Sequence, residues 1–107
     1  MDVAPLIEFK MLEDNSTLVI KLPPGAFDAG KLMNFKEKVN EAWSENVRQV
    51  RFDFAQVTFI DSPAIGAILS VYRRLSGDAK PVRIDNPNNT IRSTLHIFRL
   101  DEVFELK

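Results

Sequence analysis

The first part of the chain alternates apolar and polar residues in two short runs. Residues 7–11 place an apolar side chain at every second position, and residues 17–22 do so again after the turn signal Asp14-Asn15. A period of two is typical of β-strands that bury one face. The pattern therefore predicts an N-terminal hairpin of two strands.

After the hairpin, two prolines and a glycine at residues 23–25 interrupt the strand pattern, because proline lacks the N–H donor that a strand ladder needs. Asp28 then offers a cap for a helix. Apolar residues follow at helical spacing, which predicts a helix with one buried face. They are Leu32, Phe35, Val39, Ala42 and Trp43.

The second half of the chain alternates predicted strands and helices. Residues 50–54 and 82–85 have the pattern of strands, whereas residues 62–75 and about 89–100 have the pattern of helices. A glycine stop signal at Gly77 separates the second helix from the strand that follows. The last apolar pair, Phe104 and Leu106, fits either a docking tail or a fifth short strand.

This order of elements is typical of an α/β domain in which helices carry the chain across a largely parallel sheet. We expect a mixed, largely parallel sheet of four to five strands with an N-terminal hairpin and three to four helices. With 107 residues, the chain is expected to form a single domain over residues 1–107.

Composition narrows the possible functions. The chain has no cysteine, which excludes disulfides, thiol catalysis and thiolate metal sites. Its net charge of −1 gives no general affinity for nucleic acid. Residues 1–5 lack the basic start of a signal peptide, and no run of about 18 apolar residues occurs. We therefore expect a cytoplasmic protein without direct membrane insertion.

The junction between Asp61 and Ser62 is the strongest candidate site. It joins an apolar run to a stretch that carries no charge before Arg73. Ser62 is predicted to be the N-cap, and Pro63, which has no donor to lose, the first helical residue. Unpaired N–H groups and the positive end of the helix dipole can hold a phosphate there, so Ser62 is a candidate switch.

The chargeless helix is expected to bury one side against the sheet and part of the other side against a partner. Gly66 lies within it, although a mid-helix glycine costs roughly 1 kcal/mol relative to alanine. Such a glycine is understood where another backbone approaches closely. That backbone belongs either to the sheet or to a partner, and the sequence leaves both possibilities open.

Other chemical candidates are weak. Asp61 is interpreted as a structural acceptor, and together with Asp53 it lacks the histidine or further acidic cluster that metal or acid–base chemistry needs. His96, the single histidine, is interpreted as a structural imidazole. No Gly-x-Ser-x-Gly elbow or glycine-rich phosphate loop occurs. We therefore expect no catalytic residue, no metal site and no cofactor.

Residues 53–66 resemble the signature of the STAS domain of bacterial anti-sigma factor antagonists. The family pattern is Asp-x-x-x-Val-x-x-x-Asp-Ser-(Ser/Thr)-Gly-(Leu/Ile)-Gly, and this chain reads Asp-Phe-Ala-Gln-Val-Thr-Phe-Ile-Asp-Ser-Pro-Ala-Ile-Gly. Residues 100–104 resemble the closing motif of the family. Pro63 and Ala64 depart from the pattern, because they stand where it has a hydroxyl residue and a glycine.

The resemblance implies regulation by partner switching. The unmodified antagonist binds an anti-sigma factor that is also a serine kinase of the histidine-kinase-like ATPase type, and phosphorylation of the antagonist ends that binding. By position the phosphorylated residue is Ser62, and a serine phosphatase is a further expected partner. The predicted partner-binding residues are Asp28, Asp61, Ser62, Pro63, Ala64, Ile65 and Gly66.

A second interpretation rests on the two departures at Pro63 and Ala64. The chain would then be a constitutive STAS module that binds without phosphorylation, as part of a transporter-associated or stress-signalling complex. The sequence leaves this alternative open.

Overall fold

The computed structural model describes residues 7–75 and 80–107. Two expectations lie outside these ranges: that residues 1–5 do not begin a signal peptide, and that Gly77 is a helix stop signal. In chain order the strands and helices are β1 (Glu8–Met11), β2 (Thr17–Lys21), β3 (Gly25–Phe27), α1 (Leu32–Ala42), β4 (Gln49–Asp53), β5 (Val57–Ile60), α2 (Ser62–Arg74), β6 (Val82–Asp85), α3 (Asn89–Ile97) and β7 (Glu105–Leu106).

Five strands form the larger sheet, in the order β1-β2-β4-β6-β7. Strands β1 and β2 pair antiparallel, which confirms the predicted hairpin, and the remaining neighbours pair in parallel. Because β7 is a parallel neighbour of β6, the end of the chain contributes a fifth strand and not a docking tail. The predicted α/β class with a mixed, largely parallel sheet is confirmed.

A second sheet pairs β3 with β5 in parallel, and the hydrophobic pattern does not predict it. Strand β3 has only three residues and begins at Gly25, directly after two prolines. Gly25 has a φ of +99°, which glycine adopts without strain, and its N–H donates to the carbonyl of Gln56 at 3.1 Å. This turn places β3 beside the strand that leads into Asp61.

Four phenylalanines connect the two sheets and α1. Phe27 of β3 lies 5.2 Å from Phe35 of α1 between ring centroids, and Phe35 stacks on Phe52 of β4 at 6.2 Å. Phe54 contacts both Phe27 and Phe52 at 6.5 Å. All four rings are buried, and each such pair stabilises by about 0.5–1.5 kcal/mol beyond the burial of its area. The small sheet is thus fixed to the main core.

Two helix boundaries differ from the predicted ones. Asp28 caps a 3₁₀ turn at Ala29–Lys31, and α1 begins only after that turn. Helix α3 ends at Ile97 and not near residue 100, because Arg99 adopts the left-handed conformation at φ +59°. A short 3₁₀ turn at Leu100–Glu102 follows.

The turn of the N-terminal hairpin depends on Asp14. Its Oδ1 accepts hydrogen bonds from the N–H groups of Ser16 at 2.9 Å and Thr17 at 3.0 Å, and its Oδ2 accepts one from the Thr17 hydroxyl at 2.8 Å. The backbone bond from Ser16, followed by those from Thr17, lowers the pKa of Asp14 to about 2.

Because the pKa of Asp14 is lower in the folded than in the unfolded chain, its carboxylate stabilises the hairpin above about pH 4, and this stabilisation is lost as the pH falls through about 2. We expect Asp14→Ala to lower the urea midpoint at pH 6 and to have a much smaller effect at pH 2. Glu13→Ala, at the next residue, controls for the loss of a surface carboxylate. An NMR titration midpoint for Asp14 near the ordinary value of 3.8 would contradict this prediction.

Candidate functional site

Asp61 connects the two loops of the predicted site. Its Oδ1 accepts a hydrogen bond from the N–H of Ala64 at 2.9 Å, and its Oδ2 accepts one from the N–H of Ala29 at 3.0 Å. The first bond caps α2. The second joins the 3₁₀ turn at Ala29–Lys31 to the start of α2, across 32 residues of sequence. The interpretation of Asp61 as a structural acceptor is therefore confirmed.

Ser62 is not the N-cap of α2, so the sequence-based assignment was wrong by one residue. Asp61 has the extended backbone angles of a cap, φ −103° and ψ 174°, which leaves Ser62 and Pro63 as the first two helical residues. A carboxylate suits this position because its two oxygens satisfy two donors, Ala64 and Ala29. The side chain of Ser62 is exposed.

The loop before α1 forms the second part of the site. The Oδ1 of Asp28 accepts a hydrogen bond from the N–H of Gly30 at 3.1 Å, and its carbonyl accepts one from the N–H of Lys31 at 3.0 Å. The ammonium of Lys31 donates to the carbonyl of Ala26 in β3. Since Ala29 is bonded to Asp61, the structure brings the Asp28 loop and the Ser62 helix start together.

Phe59 belongs to the same surface, and the sequence reasoning missed it. In the small sheet, Phe27 and Ile60 are paired neighbours that face the core, whereas Ala26 and Phe59 are paired neighbours on the outer face. Phe59 is 52% exposed, three residues before Ser62. An apolar run of four residues gives no sign of which side chain faces out; only the pairing of β5 with β3 reveals it.

Helix α2 divides the predicted partner-binding residues between core and surface. Ala64 and Ile65 are buried, so their side chains contribute to the core of the free chain, and their predicted contact with a partner stays a prediction. They lie on the buried face of α2, which continues with Ala67, Ile68 and Val71. Ser62, Pro63 and Gly66 are exposed.

Gly66 is not explained by close approach of the sheet. A Cβ added at Gly66 would have no neighbouring atom within 4 Å among the described residues, and the residue is exposed. Of the two possibilities that the sequence left open, the sheet is therefore excluded. The prediction of a partner on this side of α2 remains.

The other titratable candidates lie outside this arrangement. His96 is largely exposed, and its Nδ1 lies 2.8 Å from Oδ2 of Asp101, a hydrogen bond that lowers the pKa of Asp101. Asp53 accepts a bond from the N–H of Ala55 at 2.9 Å and does not share a contact with Asp61. Within residues 7–75 and 80–107, no three acidic, histidine or cysteine residues are grouped to hold a metal ion. None of the helices described there has the length and apolar character required to cross a bilayer.

Several solved structures are similar to most of the chain, among them the following three. The anti-sigma factor antagonist SpoIIAA in its unphosphorylated form has 25% identity and a TM-score of 0.68, with 86% of this chain and 83% of that chain covered. The Bacillus cell fate determinant SpoIIAA in its phosphorylated form has 22% identity and a TM-score of 0.71, with 95% and 91% covered. A Thermotoga maritima protein assigned to the anti-sigma factor antagonists has 18% identity and a TM-score of 0.79, with 94% and 84% covered.

A comparison with protein families agrees with the fold. The model described as "Mlab, STAS domain" matches residues 11–106. No curated protein sequence matches this chain. Because the family model covers almost the entire chain, including the signature at residues 53–66, the chain belongs to the STAS domain family.

Proposed function

We propose that this chain is a cytoplasmic, non-enzymatic anti-sigma factor antagonist that works by partner switching. In this proposal its partner is an anti-sigma factor with serine kinase activity of the histidine-kinase-like ATPase type, and a serine phosphatase reverses the modification. The similarity to SpoIIAA and the membership of the STAS family support the general function.

The single observation that carries the proposal is the exposure of Ser62 beside the carboxylate of Asp61. Ser62 is the first residue of α2, with its side chain in solvent. Asp61 precedes it directly, and the Asp28 loop is bonded to Asp61 through Ala29. A kinase can therefore reach the hydroxyl, and a partner that covers this surface would cover the hydroxyl as well.

Phosphorylation would change the charge of this surface. The Ser62 Oγ would form a bond to the γ-phosphorus of ATP as the bond to ADP breaks, and the hydroxyl proton would pass to a base of the kinase. The product carries about −1.5 to −2 charges close to Asp61. A partner fitted to the unmodified surface would then meet repulsion and a desolvation cost, so the complex would dissociate.

Incubation with ATP and a kinase-type anti-sigma factor encoded beside the gene should add one phosphate, which peptide mapping should place on Ser62. Ser62→Asp should weaken the complex at least about tenfold in a titration, because it adds a charge at the interface. Ser93→Asp is the matched control, since Ser93 is also an exposed helical serine but lies on α3. Equal weakening by both variants, or no phosphate on Ser62, would count against the proposal.

Phe59 is expected to anchor the partner. Exposed aromatic side chains contribute strongly when an interface buries them, so Phe59→Ala should weaken the complex at least about tenfold. The thermal stability of the Phe59→Ala variant should change little, because about half of the Phe59 side chain is exposed to solvent. Phe98→Ala is the control, since Phe98 is 54% exposed at the end of α3. If Phe98→Ala weakens binding and Phe59→Ala does not, the interface lies at the end of α3 and not at Phe59.

The second candidate function is a constitutive STAS module, in a transporter-associated or stress-signalling complex. Pro63 favours this function, because proline at the second helical position stiffens the segment that a kinase must bind in its active site. Ser62→Ala distinguishes the two functions. It should abolish regulation of binding by ATP under partner switching, and it should change nothing for a constitutive module.

A further inference from the structure

The start of α2 has few free donors for an anion. A helix start ordinarily leaves the N–H groups of its first residues unpaired. Here Pro63 has no N–H, the N–H of Ala64 is bonded to Oδ1 of Asp61, and the N–H of Ile65 is bonded to the carbonyl of Asp61 at 3.0 Å. Among the first three helical residues, only Ser62 keeps an N–H outside these bonds.

The carboxylate of Asp61 thus already occupies the position that the helix dipole favours for negative charge. This differs from the sequence-based expectation that the helix start would simply hold an added phosphate. The STAS signature has a hydroxyl residue where this chain has Pro63, so the signature keeps a donor that this chain lacks. Beyond the N–H of Ser62 itself, the next donor for a phosphate on Ser62 is the N–H of Ala64, and there the phosphate competes with Asp61.

The same carboxylate holds the loop before α1. Gly30 and Lys31 are bonded locally to Asp28. Among the hydrogen bonds of the described residues, the bond from Ala29 to Asp61 is the one that joins the 3₁₀ turn to α2. Because the two oxygens belong to one carboxylate, a rotation of the Asp61 side chain that releases Ala64 from Oδ1 also displaces Oδ2, the acceptor for Ala29.

We propose that Asp61 is a positioning residue that transmits phosphorylation of Ser62 to the Asp28 loop. The phosphate takes the N–H of Ala64 and repels the Asp61 carboxylate, because it carries the greater charge and three acceptor oxygens. Asp61 then releases Ala29, and the loop that carries Asp28 separates from the start of α2. Phosphorylation therefore separates the two parts of the partner surface and also adds charge to it. This proposal rests on the proposed function, since it takes Ser62 as the phosphorylated residue.

The test introduces phosphoserine at position 62 during translation, so that no kinase is needed, and measures amide hydrogen exchange by NMR. In the full chain, the N–H of Ala29 should exchange at least about tenfold faster with phosphoserine than with serine. The N–H of Ile91 is the matched control. It donates to the Oδ1 of Asn88 at 2.8 Å, so Asn88 caps α3 as Asp61 caps α2, but Asn88 has no serine beside it. The N–H of Gly30 should also be unchanged, since its bond to Asp28 is local.

Asp61→Asn provides the second arm. Asparagine still caps α2 through its carbonyl, but its amide group cannot accept a bond from Ala29. The N–H of Ala29 should therefore exchange rapidly in Asp61→Asn, and phosphoserine should add no further increase. Unchanged exchange at Ala29 with phosphoserine in the Asp61 protein would overturn the positioning role. That result would leave partner switching intact. Partner switching is tested separately by incubation with the kinase, and the absence of phosphate on Ser62 there would count only against the proposed function.

Discussion

The geometry of the candidate site depends on two hydrogen bonds to one carboxylate. Asp61 caps α2 through Ala64 and joins α2 to the loop before α1 through Ala29. Without this carboxylate, the loop that carries Asp28 would lose the hydrogen bond that connects it to the start of α2 and so to Ser62. The two bonds also decide which residues are exposed, because capping by Asp61 leaves Ser62 free at the surface.

The core supplies the rigid support on which those bonds rest. Strand β5 leads directly into Asp61, and its parallel neighbour β3 leads into Asp28. Phe27 of β3 packs against Phe35 of the main core and against Phe54, and Phe54 packs in turn against Phe52. The small sheet therefore holds the two loops at adjacent positions, and Phe59 is exposed on its outer face as a consequence of the same pairing.

Much of the fold could be predicted from the sequence, because the hairpin and the three helices have strong periodic patterns. The small sheet could not, since three residues at Gly25–Phe27 are too few for a periodic signal and follow two prolines. In the site, the sequence predicted a helix start at the junction of Asp61 and Ser62, but it placed the cap at Ser62, one position too late. Serine and aspartate are both good caps, and only the nearby N–H of Ala29 favours the residue with two acceptor oxygens. The outward position of Phe59 likewise depends on a pairing that lies 33 residues away in sequence, at Ala26.

In the proposed complex, the partner binds the surface formed by the Asp28 loop, Phe59 and the start of α2. The decisive measurement is hydrogen exchange, followed amide by amide, in the complex with the proposed kinase-type anti-sigma factor. We expect binding to protect amides at residues 26–31 and 58–62 beyond their protection in the free chain. Protection confined to the end of α3, around the exposed Ile97 and Phe98, would contradict it.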